Sequence, residues 1–351
     1  MTAVDPATGT CPVPLPETER VLLGHGSGGR LSAELIDEVL LPGLGAAAPG
    51  GPLEDAAVVT LAGSDLVLST DAYVVDPLFF PGGDIGVLAV HGTVNDLAMR
   101  AAMPIALTVA YIVEEGLPIE DLRRVAASVG AAAVAAGVPV VTGDTKVVGK
   151  GAADRLFVIT AGLGRRLPGA APTAAGARPG DAVLISGPIG CHGITVLSTR
   201  EGLGFEADVA SDTRPLHRLV ADMVDAGGLN LHTLRDLTRG GLASALNEIA
   251  AASKVGIEIE ESALPVPEPV RAACEMLGLD PAYVANEGCL VAFVAPGAAE
   301  AVLAAMRSTP EGAEAVRIGV VHDHGPVLVR TAVGSRRVLD MLLGEQLPRI
   351  C

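Results

Sequence analysis

Five aspartates stand in apolar or small-residue surroundings: Asp55 in LEDAAV, Asp71 in LSTDAYV, Asp96 in GTVNDLAM, Asp144 in VTGDTKVV and Asp236 in LRDLTRGG. Asp71 and Asp144 follow strand-like runs, and Asp96 and Asp236 flank expected helix starts. A single such residue is usually a cap or a turn former. A series of them needs charge to share, because a buried carboxylate is costly unless paired or metal-bound. Hard carboxylate oxygens suit Mg²⁺, which keeps waters and bridges phosphates. Two readings stand: a metal–phosphate site, or a set of caps and turns. Lys146, two residues after Asp144, shares its face if the strand continues. It then either neutralises a transferring phosphoryl group or pairs with one of the acids. Glu287, in VANEGCL, sits in a turn before a strand, either solvated or, where it faces the site, a base.

GHGSGG, Gly24 to Gly29, matches the G-x-G-x-x-G pattern after an apolar run and before a helix, the setting of a dinucleotide loop. The acid such a site wants about 20 residues on comes late, at Glu54 and Asp55. The alternatives are glycines that relieve backbone strain and a lid whose N–H groups wrap phosphates. In DLTRGGLASALNEIA, Thr238 is an expected N-cap, and Arg239 beside a glycine pair is either part of a helix start or a phosphate contact. His25, His91 and His192 all neighbour glycines without ligand spacing, which favours loop packing. Phe79 and Phe80 favour core packing or a protomer contact.

These residues need elements to hold them. With 351 residues, half of them hydrophobic, the chain can build two domains with a sizeable core. With 2% aromatics and no Trp, that core is Ala, Val, Leu and Ile. Residues 1–19, rich in Pro and Thr, read as a mobile extension. RVLLGHG reads as a short strand before a helix with Leu31, Leu35, Ile36, Val39 and Leu40 on one side. AAVVTL and DLVLSTDAYVV read as a hairpin across AGS, VPVVTGDTKVV as a strand broken by a turn, and AVRIGVV with PVLVRT as a terminal hairpin. The Pro/Gly/Ala-rich segment 166–180 is the expected linker, between a domain over 20–165 and another over 181–335, with a tail over 336–351. The class is α/β or α+β.

Formal net charge is −17, which disfavours nucleic acid and anionic membranes as partners. Neither a signal peptide nor a membrane span is evident. The five cysteines, Cys11, Cys191, Cys274, Cys289 and Cys351, lack metal spacing, so free thiols in a reducing cytoplasm are expected.

GHGSGG, STDAYVVDPLFFPGGDIG, GTVNDLAM, GDTKVV, DLTRGGLASALNEIA and the final PRIC together resemble the HypE family of hydrogenase maturation factors. That family lies in the ATP-binding superfamily of aminoimidazole ribonucleotide synthetase and selenophosphate synthetase. The resemblance runs from about residue 20 to the last residue. It implies an N-terminal domain whose strands close a barrel across a homodimer, followed by a C-terminal α/β domain. It implies ATP and Mg²⁺ in the cleft. The implied reaction is ATP-driven dehydration of a thiocarbamate on Cys351 to a thiocyanate. A HypF-like carbamoyltransferase loads the group, and a HypC/HypD-like iron-carrying scaffold receives the cyanide for nickel–iron hydrogenase. Carried over by motif, Asp55, Asp71, Asp96 and Asp144 are metal or phosphate ligands, and Asp236 and Arg239 are phosphate contacts. Gly26, Ser27, Gly28 and Gly29 form the phosphate loop, and Thr93 and Asn95 line the nucleotide site. Lys146 and Glu287 lie near the reacting group. GCHG stands where this family's pattern has GDHG, so Cys191 replaces an acid. Rival readings are a superfamily synthetase acting on a free small molecule, a dinucleotide-dependent dehydrogenase, and an ATP-sensing scaffold without turnover. The eight residues Gly344–Cys351 span at most about 26 Å, an arm long enough to carry a thiol between a cleft and a partner, with Arg349 expected to favour its thiolate.

Overall fold

A computed structural model describes residues 21–26, 29–48, 53–203, 209–342, 347 and 349–351. The extension 1–19, Ser27 and Gly28 lie outside the described residues. The expected strand before the glycine loop is instead a tight helical turn, Leu23–Gly26. Helical segments follow: α1 (Arg30–Leu35), a wider turn over Ile36–Leu40, and α2 (Leu41–Leu44).

The first domain is a five-stranded sheet. Its hairpin is β1 (Ala57–Leu61) and β2 (Ser64–Tyr73), turning at Ala62 and Gly63. A small ribbon, β3 (Phe79–Phe80) and β4 (Gly83–Asp84), leads into α3 (Ile85–Met99). Then come β5 (Ala102–Glu114), α4 (Ile119–Ala136), β6 (Val140–Val148) and β7 (Leu156–Arg166). The order is β1-β2-β7-β5-β6, antiparallel except for the parallel β5–β6 pair. β6 is one continuous strand, not one broken by a turn, because each of its residues from Thr142 to Val148 finds a partner on β5.

α4 is Ala-rich, which favours helix. Its first-turn Glu120 and Asp121 suit the positive end of the helix dipole. Its buried stripe of Val125, Val129, Ala132, Ala133 and Ala136 follows helical spacing. α3 is buried on every side except at Val87 and Asp96. It packs between the sheet, α4 and the second domain, as a helix apolar all round must. Asp84 caps it, accepting from the N–H groups of Gly86 at 2.8 Å and Val87 at 3.0 Å.

The second domain holds β8 (Ala182–Ile185), α5 (Cys191–Glu201), α6 (His217–Gly227), β9 (Leu231–Asp236) and α7 (Gly241–Ser253). It continues through β10 (Gly256–Glu260), α8 (Glu268–Leu277), β11 (Leu290–Val294), α9 (Ala299–Arg307), β12 (Val316–His322), β13 (Val327–Arg330) and β14 (Arg336–Val338). The strand order is β14-β13-β10-β12-β8-β11-β9. β12 and β13 are therefore not the expected hairpin: β10 lies between them, antiparallel to β12 and parallel to β13. β14 also joins this sheet, so the first residues assigned to a tail from 336 belong to the domain. The helix after DLTRGG is capped by Gly240, not Thr238, because the chain turns through two left-handed glycines, Gly240 (φ 75°) and Gly241 (φ 60°). A Cβ on Gly241 would sit 2.7 Å from the Ala282 and Val284 carbonyl oxygens, too close for any other residue.

Candidate active site between the two domains

The acids converge where α3 crosses the end of β2 and meets the second domain. Three successive polar positions of α3 point three ways, as about 100° per residue requires. Thr93 faces the sheet, donating to Asp71 at 3.1 Å and sharing a 2.5 Å bond with Thr160. Asn95 faces the second domain: its amide N–H groups reach the Arg214 carbonyl (3.1 Å) and the Glu287 carbonyl (3.3 Å), and its oxygen accepts from Leu216 N (2.7 Å). Asp96 faces the acids and accepts from Ser69 Oγ at 2.5 Å. Thr93 and Asn95 thus brace the acids from behind, and neither lines the cavity beside them. Both are at most 2% exposed.

Asp55, Asp96 and Asp236 bring carboxylate oxygens within 4.8 Å of one another. Asp96 lies in the last turn of α3, not at a helix start, and Asp236 ends β9. Burial raises all three. It carries Asp55 to about 8 and Asp236 to about 6, while Arg235 lowers both. Asp96 is pushed well above the carboxylate range by burial and then by the facing charges of Asp71, Asp236 and Asp55. Arg235 pairs with Asp55 and, at 2.6 Å, with Glu248. It offsets part of this charge, and the rest is what a hard dication would neutralise. Burial raises Asp71 too, opposed by hydrogen bonds from Thr93 and Tyr73. Gly92 makes room for that tyrosine: a Cβ there would sit 2.0 Å from Tyr73 Oη.

A cavity of about 250 Å³ opens beside these acids, lined by Asp71, Tyr73, Gly92, Asp96, Asp236, Thr238, Arg239, Glu287 and Cys351, among others. Glu287, 3% exposed, is not the solvated residue its turn position allowed. Asp212 accepts from its backbone N–H (3.2 Å) and from that of Gly288 (2.9 Å), fixing the turn. Burial, then Asp236 and Asp212, push the Glu287 carboxyl well above its usual range. Its Oε1 is buried with no hydrogen-bond partner among the described residues. Cys351 shares a hydrogen bond with this carboxyl. Burial, and then Glu287, raise the thiol pKa, with Arg239 opposing. The thiol is therefore held protonated, and the cation that faces it is Arg239, not the expected Arg349.

Two expected site residues are elsewhere. Across the sheet the register runs Asp71–Thr160–Val109–Gly143, and one position along it runs Ala72–Ile159–Ala110–Asp144. Cross-strand partners share a face and neighbours alternate, so Asp144 and Lys146 project from the face opposite Asp71. There they pair with each other at 2.8 Å on the exposed edge strand, and that bond lowers the Asp144 pKa. Neither lines the cavity, and neither do Gly26 and Gly29. Cys191 starts α5 half-buried, its thiol raised to about 11 by burial and then by Asp212. That makes it a packed thiol, held protonated. Phe80 is a core residue packed edge-on against His192, ring centroids 5.5 Å apart.

Sequence reasoning missed Ser69, Tyr73, Arg235 and Asp212. Tyr73 had a signal, since it stands two residues beyond Asp71 on one strand face. Asp212 had none, because it meets Glu287 only through the fold.

The AIR synthase related N-terminal domain matches residues 53–166, and the corresponding C-terminal domain matches 178–330. The chain is an AIR synthase related protein with both domains. The carbamoyl dehydratase HypE of Rhizobium leguminosarum bv. viciae is 52% identical over 337 residues, covering 95% of each chain. A HypE crystal structure in complex with ATP is 51% identical, with TM-score 0.80, covering 95% of this chain and 100% of that one. The match in a HypE–HypF complex is 47% identical, with TM-score 0.83, covering 88% of this chain and 99% of that one. The chain belongs to the HypE family of carbamoyl dehydratases. The dehydrogenase reading falls with this, since both sheets are mainly antiparallel, unlike the parallel sheet of a dinucleotide fold.

Proposed function

We propose that this chain dehydrates a carbamoyl group held on Cys351, converting a thiocarbamate to a thiocyanate at the cost of ATP, to supply cyanide for hydrogenase iron. The observation that carries the reading is the seat of Cys351: the last residue of the chain lies in the same cavity as Glu287, Arg239 and the acid cluster. A thiol delivered to that position places a sulfur-bound carbamoyl group among acid, base and cation at once.

The amide oxygen is a poor leaving group. Transfer of the ATP γ-phosphoryl to it, with loss of one N–H proton, gives an imidate phosphate. Loss of the second N–H proton then forms the C≡N bond and expels phosphate. Arg239 faces the sulfur-bound group and offsets negative charge as it develops. Glu287 is the proton acceptor. Burial first, and then the facing charges of Asp236 and Asp212, hold its carboxyl protonated, and offsetting those charges lowers its pKa toward that of a working base. Asp55, Asp96 and Asp236, with Asp71 beside them, are the residues that would hold Mg²⁺, and their mutual repulsion fits a dication. Mg²⁺ bound there would spread the charge of the phosphates. Gly26, Ser27, Gly28 and Gly29 serve as the phosphate loop and lid, keeping water from the phosphoryl group. The cavity is smaller than the roughly 300–1,000 Å³ of whole-ligand sites, so it receives the reacting groups and the nucleoside lies outside it.

The chain works as a homodimer. Val59, Leu61 and Leu68 stand exposed on the sheet face that also bears Asp144 and Lys146. That apolar face is where a second copy would close the barrel. Asp144 and Lys146 then reach a reacting centre only across the subunit boundary. A HypF-like carbamoyltransferase loads Cys351, and a HypC/HypD-like scaffold accepts the cyanide. Among the described residues no helix is long and apolar enough to cross a membrane, and the four described cysteines are free, which suits a reducing cytoplasm.

Mass spectrometry of the Cys351 peptide tests this, after incubation with ATP, Mg²⁺, carbamoyl phosphate and the carbamoyltransferase. A carbamoyl adduct on Cys351 that then loses one water is expected. In Glu287→Gln the adduct should form but lose water at least about 100-fold more slowly. An unmodified Cys351 beside a modified Cys191 overturns the carrier assignment, and normal water loss in Glu287→Gln removes the base.

A further inference from the structure

The last residues of the chain are held by their backbone. The Arg349 carbonyl accepts from the Asp76 N–H at 3.2 Å and from Arg200 Nη2 at 2.7 Å. The same Arg200 donates through Nε to the Asp76 carbonyl at 2.7 Å, closing the two segments with one guanidinium fork. The next carbonyl, that of Ile350, meets His192 Nε2 at 2.8 Å, while His192 Nδ1 lies 2.8 Å from Ser211 Oγ. A carbonyl only accepts, so Nε2 carries the proton and Nδ1 accepts from the serine. His192 is fully buried, and burial lowers its pKa, which keeps this neutral form. Arg349 takes a left-handed backbone, φ 52°, which a residue with a Cβ holds only when its surroundings impose it. The Ile350 side chain is 4% exposed, in the core cluster with Tyr73, Leu78, Phe80 and Val196. By contrast, the Arg349 side chain pairs with Asp154 at 2.8 Å and Asp76 at 3.6 Å in a partly exposed setting, where such pairs contribute little.

Neither His192, Arg200 nor Ile350 lines the cavity that receives the sulfur. We propose that His192 and Arg200 form a backbone latch that seats Cys351 in the cavity whatever group its sulfur carries, and so act as positioning residues for the dehydration. The latch rests on the carrier reading for its purpose, but not for its mechanics. It grips the Arg349 and Ile350 carbonyls while the core seats the Ile350 side chain, all upstream of Sγ, so thiol, thiocarbamate and thiocyanate forms present the same handle.

The test is the rate at which trypsin cleaves after Arg349 in the full chain, read by intact mass, together with single-turnover water loss from carbamoyl-loaded protein. Arg200→Met, on a partly exposed helix end, and His192→Gln are compared with the natural chain. Each variant should speed cleavage and slow water loss by about five- to tenfold, the scale of one lost hydrogen bond. The apparent KM for ATP and the thermal midpoint of Arg200→Met should stay unchanged, and Arg200→Lys should recover part of the effect. Natural-rate cleavage in both variants overturns the latch. Cleavage that differs more than about fivefold between loaded and unloaded natural chain overturns its indifference to the load. The unloaded comparison needs no carbamoyl chemistry, so it decides the latch even if the carrier reading fails.

Discussion

Asp55, Asp96 and Asp236 show what happens to carboxylates that fold together out of water. Folded, Asp55 titrates near 8 and Asp236 near 6, against an ordinary value of 3.8. Between the ordinary and the raised values the folded chain binds more protons than the unfolded one, so stability must fall as pH rises. Their contribution is full below about 3.8 and is lost progressively up to about 8. A dication competes with those protons. Without divalent cations the melting temperature should fall between about pH 5 and pH 8, and Mg²⁺ should restore more at the higher pH. Differential scanning calorimetry with and without Mg²⁺ checks this, and equal Mg²⁺ effects at both pH values would remove the three acids as its ligands. Glu287 and Cys351 obey the same rule at the next distance: burial first raises both, so each is held protonated.

α3 is the element on which the site depends. Its burial on nearly all sides fixes its rotation, and so sends Thr93, Asn95 and Asp96 to the sheet, to the second domain and to the acids respectively. Asn95 matters most for the assembly of the two domains, since it satisfies two carbonyls and one N–H of the second domain. Asn95→Ala leaves these buried groups unpaired and should cost roughly 2–4 kcal/mol, measured by urea unfolding. It should also slow dehydration, because the Glu287 turn loses its tether. Asn95→Asp, which turns a buried carboxylate oxygen toward those two carbonyls, should cost at least as much.

For the whole molecule, α3 and α4 cover one face of the first sheet, and among the described residues the other stands bare. Exposed apolar residues scattered singly need no explanation, but Val59, Leu61 and Leu68 share that face in neighbouring strands. A second copy covering it predicts that Leu61→Arg produces monomers, read by light scattering after size exclusion. Each monomer should keep its own fold, because Leu61 is 62% exposed. A dimer that survives the substitution would place the interface elsewhere.

Strand and helix patterning was legible from the order of residues, since apolar spacing reports local geometry directly. So was the family, through its motifs, and so was the presence of acids beside small neighbours, three of which, Asp55, Asp96 and Asp236, the structure brings together. Which acids act together was not legible. Asp71 and Asp144 look alike in sequence, and only the register of four strands sets them on opposite faces. The terminal hairpin failed for the same reason: strand pairing joins partners far apart in the chain, and β10 took the place beside β12. Asp212 and His192 look like loop residues until the second domain and the chain end fold and bring them to Glu287 and Ile350. The sequence alone determined the chemistry available to this protein, because residue type sets charge, nucleophilicity and local propensity. Only the tertiary structure decided which groups meet, how buried they are and where Cys351 sits, because contact and desolvation belong to three-dimensional neighbours.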